Sequence, residues 1–216
     1  MTDNPGWTSD EDALAALSPE ARHDYETRRA GQDLALNAAH ALEHGDYDTA
    51  IQYFHAAITL VLDHLGPDHP EIAGFRCNLG LAYSQLGRHA DALAELTQAL
   101  TILERMQGRD GSGTLVTVTN LGLAAYQAGD LTSALKWYQR AADAYDRTHG
   151  PDAFLTAQAN ANVAAVLLAL GDHETPGPLL QTALATFETL GFNDTAAAHA
   201  ARQTLAHWQT LQPPTG

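Results

Sequence analysis

Residues 65–102 read LGPDHPEIAGFRCNLGLAYSQLGRHADALAELTQALTI. Two segments with apolar residues at helical spacing flank a single glycine, Gly87, and a second glycine, Gly66, precedes them with Asp68 close behind. Apolar positions recurring every three or four residues make a core-facing helical stripe. A glycine between two such stripes ends the first helix and permits the left-handed backbone of a tight turn into the second. The stretch therefore reads as loop, helix A, short turn, helix B.

The same unit extends in both directions. Gly45, Gly87, Gly129 and Gly171 recur every 42 residues, and the interval also links Asp68, Asp110, Asp152 and Asp194, then Ala57, Ala99, Ala141 and Ala183, then Asn78, Asn120 and Asn162. Several columns sharing one period mark a helical repeat, in which each pair buries its faces against its neighbours. The aspartates are expected to cap the helix that follows them, where a carboxylate meets unpaired first-turn amides. Small residues at Ala38, Gly80, Gly122 and Ala164 are expected to face Ala50, Ala92 and Ala134, with Phe54, Leu96, Tyr138 and Leu180 filling the space between pairs.

The fold class is all-α. Four units are expected over about 33–66, 67–108, 109–150 and 151–192, followed by a capping helix from Asp194 to about Leu211 and a tail at 213–216. Residues 1–32 read as an N-terminal tail and capping region. A short helix is expected near Asp10 to Leu17, where Ser9 and Asp12 resemble a capping box. Ser18, Pro19 and Glu20 then open a long first helix reaching His44. Pro176 and Pro178 interrupt the fourth unit, so its helix B is expected to start late, near Thr175, to pack differently and to widen the groove locally.

Charge narrows the partners. The net charge is −15, with Lys136 the only lysine beside ten arginines, so nucleic acid and anionic membrane surfaces are repelled. The longest apolar run, Ala161 to Leu170, is too short to span a bilayer. The opening MTDNPGWTSDED lacks a basic and then apolar leader, which by default suggests a cytoplasmic protein. The single cysteine, Cys77, excludes an intrachain disulfide.

These residues resemble the tetratricopeptide repeat, and residues 65–102 look especially like the kinesin light chain type, whose units are also 42 residues long. The resemblance covers about residues 33–212. It implies a right-handed superhelix of antiparallel helix pairs, an α-solenoid, whose A helices line a concave groove for an extended peptide or partner segment. It also implies that Asn78, Asn120 and Asn162 hold that peptide's backbone, and an amide, being both donor and acceptor, suits the task. An asparagine here also has a purely structural use, bridging neighbouring helices or an adjacent loop. The first unit has Leu36 at this position, with Asn37 one residue off. Around the ladder the inferred inner face carries Leu42, Glu43, Cys77, Leu81, Ser84, Gln85, Thr119, Leu123, Tyr126, Gln127, Gln158, Ala161 and Ala165. This lining is mostly neutral and partly apolar, without the cations that clamp a terminal carboxylate. The expected partner is therefore a protein or peptide segment, neutral to basic and partly apolar.

Catalytic readings find little support. His40 and His44 share a helix face, and His64, Asp68 and His69 cluster at a loop, but no complete ligand set accompanies them. There is no HExxH, no phosphate-binding P-loop, no GxGxxG after a strand and no GxSxG, so no cofactor, metal or enzymatic activity is expected. The alternatives are a small-molecule or catalytic groove using Tyr126, Gln158, His207 and Cys77, and a homo-oligomer assembled through the end helices or the region of Pro176.

Overall fold

The computed structural model describes residues 17–212. They form helices α1 (Pro19–Glu43), α2 (Tyr47–Leu65), α3 (Pro70–Gln85), α4 (His89–Gln107), α5 (Ser112–Gln127), α6 (Leu131–His149), α7 (Phe154–Ala169), α8 (Pro176–Thr189) and α9 (Ala196–Thr210), with no strand among the described residues. The helix expected near Asp10 and the tail at 213–216 lie outside them. Odd-numbered helices are the A helices and even-numbered ones the B helices. Each pairs with its neighbours in chain order, so the molecule is a solenoid of helix hairpins.

Lengths repeat as faithfully as the sequence does. Helices α3, α5 and α7 have 16 residues each, and α2, α4 and α6 have 19. α1 is longer, an unbroken 25 residues, so the expected boundary at residue 32 falls inside a continuous helix. Its start follows the sequence, with Ser18 Oγ accepting from the Ala21 amide at 3.2 Å and Pro19 in the first turn.

The turn from A to B is set by one glycine. Gly87 adopts φ +71°, its amide donates to the Ser84 carbonyl at 3.0 Å, and the Arg88 amide reaches back to the Tyr83 carbonyl at 2.9 Å. This double closure satisfies carbonyls that the ending helix leaves open. Gly45, Gly129 and Gly171 repeat it.

The aspartates that cap helices stand immediately after that glycine, in the first and third units only, which corrects the expectation for the Asp68 column. Asp46 accepts from the Thr49 amide and Asp130 from the Ser133 amide, while Asp172 accepts from the Glu174 and Thr175 amides. Asp68, Asp110, Asp152 and Asp194 are not caps; that place belongs to the next residue, His69, Gly111, Ala153 or Thr195. Two of these aspartates do other work: Asp68 pairs with Arg105 at the end of α4, and Asp110 with Arg147 at the end of α6 at 2.8 Å. The two pairs are related by the 42-residue repeat. The series stops there, because Asp152 meets Thr189 in the same register.

Inside, the small residues allow close approach. A Cβ on Gly80 would stand 2.7 Å from Leu96 Cγ, and one on Gly122 would stand 2.8 Å from the Tyr138 ring. Phe54, Leu96, Tyr138 and Leu180 are all buried, each side chain contributing about 1.5–3 kcal/mol by leaving water. The core divides into two clusters: a large one running from α1 through α7, and a smaller one of α7, α8 and α9 centred on Leu180 and Phe187.

The fourth unit closes differently. Thr175 precedes α8, whose first residues Pro176 and Gly177 are buried. Gly177 lies against the indole of Trp208 from α9, leaving no room for a Cβ. The indole nitrogen of Trp208 donates to the His173 carbonyl at 2.8 Å, fastening α9 over the last pair.

Candidate functional site

The A helices share one face, and the 42-residue register decides what stands on it. Asn78, Asn120 and Asn162 occupy equivalent places on α3, α5 and α7, with Leu36 before them on α1 and 70% exposed. No side-chain hydrogen bond within the protein engages any of the three amides among the described residues, so the structural use of asparagine as a bridge does not apply to them. Gln158 is uncommitted in the same way. By contrast, Gln32, three units earlier in the Gln158 register, donates to Glu71 at 2.9 Å.

Along this face α1 touches α3, α3 touches α5, and α7 touches α9, whereas α5 and α7 meet less closely. These two are the A helices of the third and fourth units. A hollow of about 170 Å³ opens in the gap, lined by Val116, Thr119, Asn120, Tyr145, Leu155, Gln158, Ala159 and Asn162. Its floor is apolar and its rim carries the two asparagines. A smaller recess of about 60 Å³ continues past Gln158 and Asn162 to Ala200 and Thr204 of α9. Next to it, a hollow of about 320 Å³ is bounded by Tyr126, Ala165, Leu168, Gln203 and His207.

The structure thus gathers Thr119, Asn120, Tyr126, Gln158 and Asn162 along one continuous trough. It does not bring all the expected residues into it. Asn78 and Gln85 are exposed on α3, outside these hollows, and Leu81 is half-buried there. Leu123 is half-buried against the main core, Gln127 is exposed at the end of α5, and Ser84 is buried. Cys77 is half-buried with its sulfur 3.0 Å from Thr117 Oγ1, and burial pushes its thiol pKa up against the opposing effect of that bond. His40 and His44 lie face by face with ring centroids 4.3 Å apart.

Four lining residues escaped sequence reasoning. Val116 carried a signal, since it precedes Gln158 by one full unit. Leu155 and Ala159 carry no signal that separates them from other apolar helix residues. Tyr145 comes from a B helix, and no pattern on the A helices points to it. Burial raises the Tyr145 pKa, opposed by the nearby Thr119 hydroxyl.

The fold and face define a helical-hairpin solenoid with an open trough. The sequence pattern of the tetratricopeptide repeat matches residues 33–105 and 114–189, and the chain belongs to that family. Tetratricopeptide repeats generally mediate contacts between proteins and are typically non-catalytic scaffolds. The chain is similar in fold to the nearly identical repeats of a putative kinesin light chain from Podosopora anserina, at 16% identity over 85% of this chain and 87% of that one, with a TM-score of 0.72. BtubC from P. vanneervenii is similar at 16% identity over 93% and 96% of the two chains, with a TM-score of 0.61. The apo form of RapI gives a TM-score of 0.73 at 14% identity, over 83% of this chain and 63% of that one. No curated protein matches the chain. Among the described residues no helix is long and apolar enough to cross a membrane.

Proposed function

We propose that this protein is an adaptor or regulatory module that holds an extended partner segment, neutral to basic and partly apolar, along its A helices. The observation that carries the reading is the row of uncommitted amides, Asn78, Asn120 and Asn162, two of which flank a hollow with an apolar floor. An extended segment has one unpaired donor and one unpaired acceptor per residue, and an amide answers both. Val116, Leu155 and Ala159 supply apolar surface between those polar contacts, while Gln158 and Thr119 extend the polar rim. Leu81, Gln85, Leu123, Tyr126 and Gln127 are the proposed flanking contacts. The acidic body favours approach of neutral or basic segments.

The test is selection of extended peptides from a random display library on the wild-type chain, followed by affinity measurement with Asn120→Ala/Asn162→Ala. Two lost hydrogen bonds at about 0.5–1.5 kcal/mol each predict roughly 5- to 150-fold weaker binding with unchanged helicity. Equal affinity in the double variant removes the amide row from the argument.

A second reading rests on the larger hollow shared by Tyr126 and His207, whose volume of about 320 Å³ suits a small molecule. A metabolite that raises the melting temperature of the wild type but not of His207→Ala favours it.

A further inference from the structure

The charge of this chain is unevenly placed. No lysine or arginine occurs between Arg29 and Arg76, nor between Arg147 and Arg202. Four of its eleven cations instead converge on one hollow of about 580 Å³, formed by α6 and the loop between α4 and α5. Arg109 comes from the loop, and Lys136, Arg140 and Arg147 from α6. No A helix contributes to this hollow, so it lies on the side away from the amide trough.

The cations differ in what already engages them. Arg140 pairs with Glu104, and Arg147 with Asp110. Arg109 and Lys136 are exposed, and the side chain of neither makes a hydrogen bond or ion pair among the described residues; Lys136 acts on Asp130 only through its field. Of the two lining carboxylates, Asp110 is spent on Arg147, and Asp143 alone has no side-chain partner. The hollow therefore holds a surplus of positive charge in a chain of net charge −15.

We infer that this outer hollow is a docking surface for an acidic peptide segment of a partner protein, read by Arg109 and Lys136 with Arg140 and Arg147 beside them. Shape favours an extended segment over a lone anion: Lys136 to Arg147 spans about 16 Å of helix, which about five extended residues cover. A single small anion reaches only a part of that row. A long polyanion such as nucleic acid is repelled by the acid-only stretches on either side, whereas a short acidic segment confines its charge to the hollow. Arginine is a strong charged donor to carboxylates, and the Asp110 and Glu104 contacts show such pairing already in use, one nitrogen to one oxygen in each.

The experiment measures fluorescence anisotropy of a short labelled peptide of alternating Glu and Ser, with a Gln and Ser peptide as its uncharged counterpart. Buffers hold about 20 mM and about 300 mM salt, because exposed charge contacts weaken as the screening length shortens. The acidic peptide is expected to bind at low salt, to lose affinity at high salt, and to bind about tenfold more weakly to Arg109→Gln/Lys136→Gln. Asp143→Asn is expected to tighten it. Asn120→Ala/Asn162→Ala is expected to leave it unchanged, which keeps this surface distinct from the trough. Unaltered affinity in the Arg109→Gln/Lys136→Gln variant, or dependence on the asparagines, overturns the assignment. So does displacement by an equal concentration of inorganic phosphate, which assigns the hollow to small anions. Concentration-dependent dimerisation lost in the same variant assigns it to a second copy of the chain instead.

Discussion

Two glycines inside A helices have opposite surroundings, and the difference is measurable. Gly122 lies under the Tyr138 ring, where a Cβ would approach to 2.8 Å, while Gly74 has nothing within 4 Å. Gly122→Ala is expected to cost about 1–3 kcal/mol through overpacking, because the ring, carried by α6, is buried. Gly74→Ala is expected to gain about 0.5–1 kcal/mol, since alanine restricts the unfolded chain and suits a helix interior. Denaturant midpoints of the two variants should move in opposite directions; a loss of stability in both would show that the open space at Gly74 is filled in solution. Cys77 gives a second test at this scale. Burial raises its pKa, so its alkylation rate should climb toward a midpoint above that of an exposed thiol. Thr117→Val removes the opposing bond and should shift that midpoint further up.

At the scale of the helix, period and boundary proved unequally legible. The 42-residue columns located every helix pair because glycine is the residue best able to hold φ near +70° to +90° at the closing turns, and a glycine is visible in a sequence. The caps were harder to read. Asp68 and Asp46 both stand near a helix start, and only the backbone shows that Asp46 receives the first-turn amide while Asp68 reaches Arg105. The same limit applies to the seal between Gly177 and Trp208, which joins residues far apart in the chain. It applies equally to Tyr145, which enters the trough from a B helix. What depends on one chain position was readable, and what depends on two distant ones was not. The corrected caps carry a pH dependence. Asp130 is held below the usual carboxylate range by the hydroxyl and then the amide of Ser133, and Asp172 chiefly by the amide and hydroxyl of Thr175, then by the Glu174 amide. A depressed folded-state pKa stabilises above the unfolded value, and that contribution is lost as pH falls through the folded value. The start of α6, and the turn that leads into α8, should therefore loosen on acidification below about pH 4, the ordinary carboxylate range. The start of α4 should not share this loss through its cap residue, since Arg88 makes no side-chain cap. Amide exchange at Ser133 and Thr175 against Asp91 reads the contrast, and equal loosening at all three rules out the caps as its cause.

Across the whole molecule, stability should follow the division of the core. In a solenoid each unit is held by its own pair and by nearest neighbours, so a unit with a smaller interface opens first. The cluster of α7, α8 and α9 has Leu180 and Phe187 as its only large fully buried side chains, whereas the cluster from α1 to α7 includes Phe54, Ile72, Leu79, Leu96, Leu115 and Leu121. Helix α8 is also the shortest of the B helices at 14 residues, and no side chain caps its start. The arginine to aspartate pair that joins the preceding units has no counterpart here, because Thr189 stands where the arginine would be. Native-state hydrogen exchange should therefore show α8 and α9 opening at a free energy several kcal/mol below that of α3 to α6. Trp208→Phe, which keeps an aromatic ring but removes the donor to the His173 carbonyl, should lower the opening energy of α8 and α9 by about 1 kcal/mol. The same substitution should leave α3 to α6 unchanged. The consequence reaches the trough, since Thr204 and His207 of α9 form its far wall. A partner segment that contacts α9 should raise the opening energy of α8 and α9 by mass action. One that stops at Asn162 should leave it where it was. If α8 and α9 exchange only with global unfolding in the free protein, the two clusters act as one and the unit-by-unit account fails.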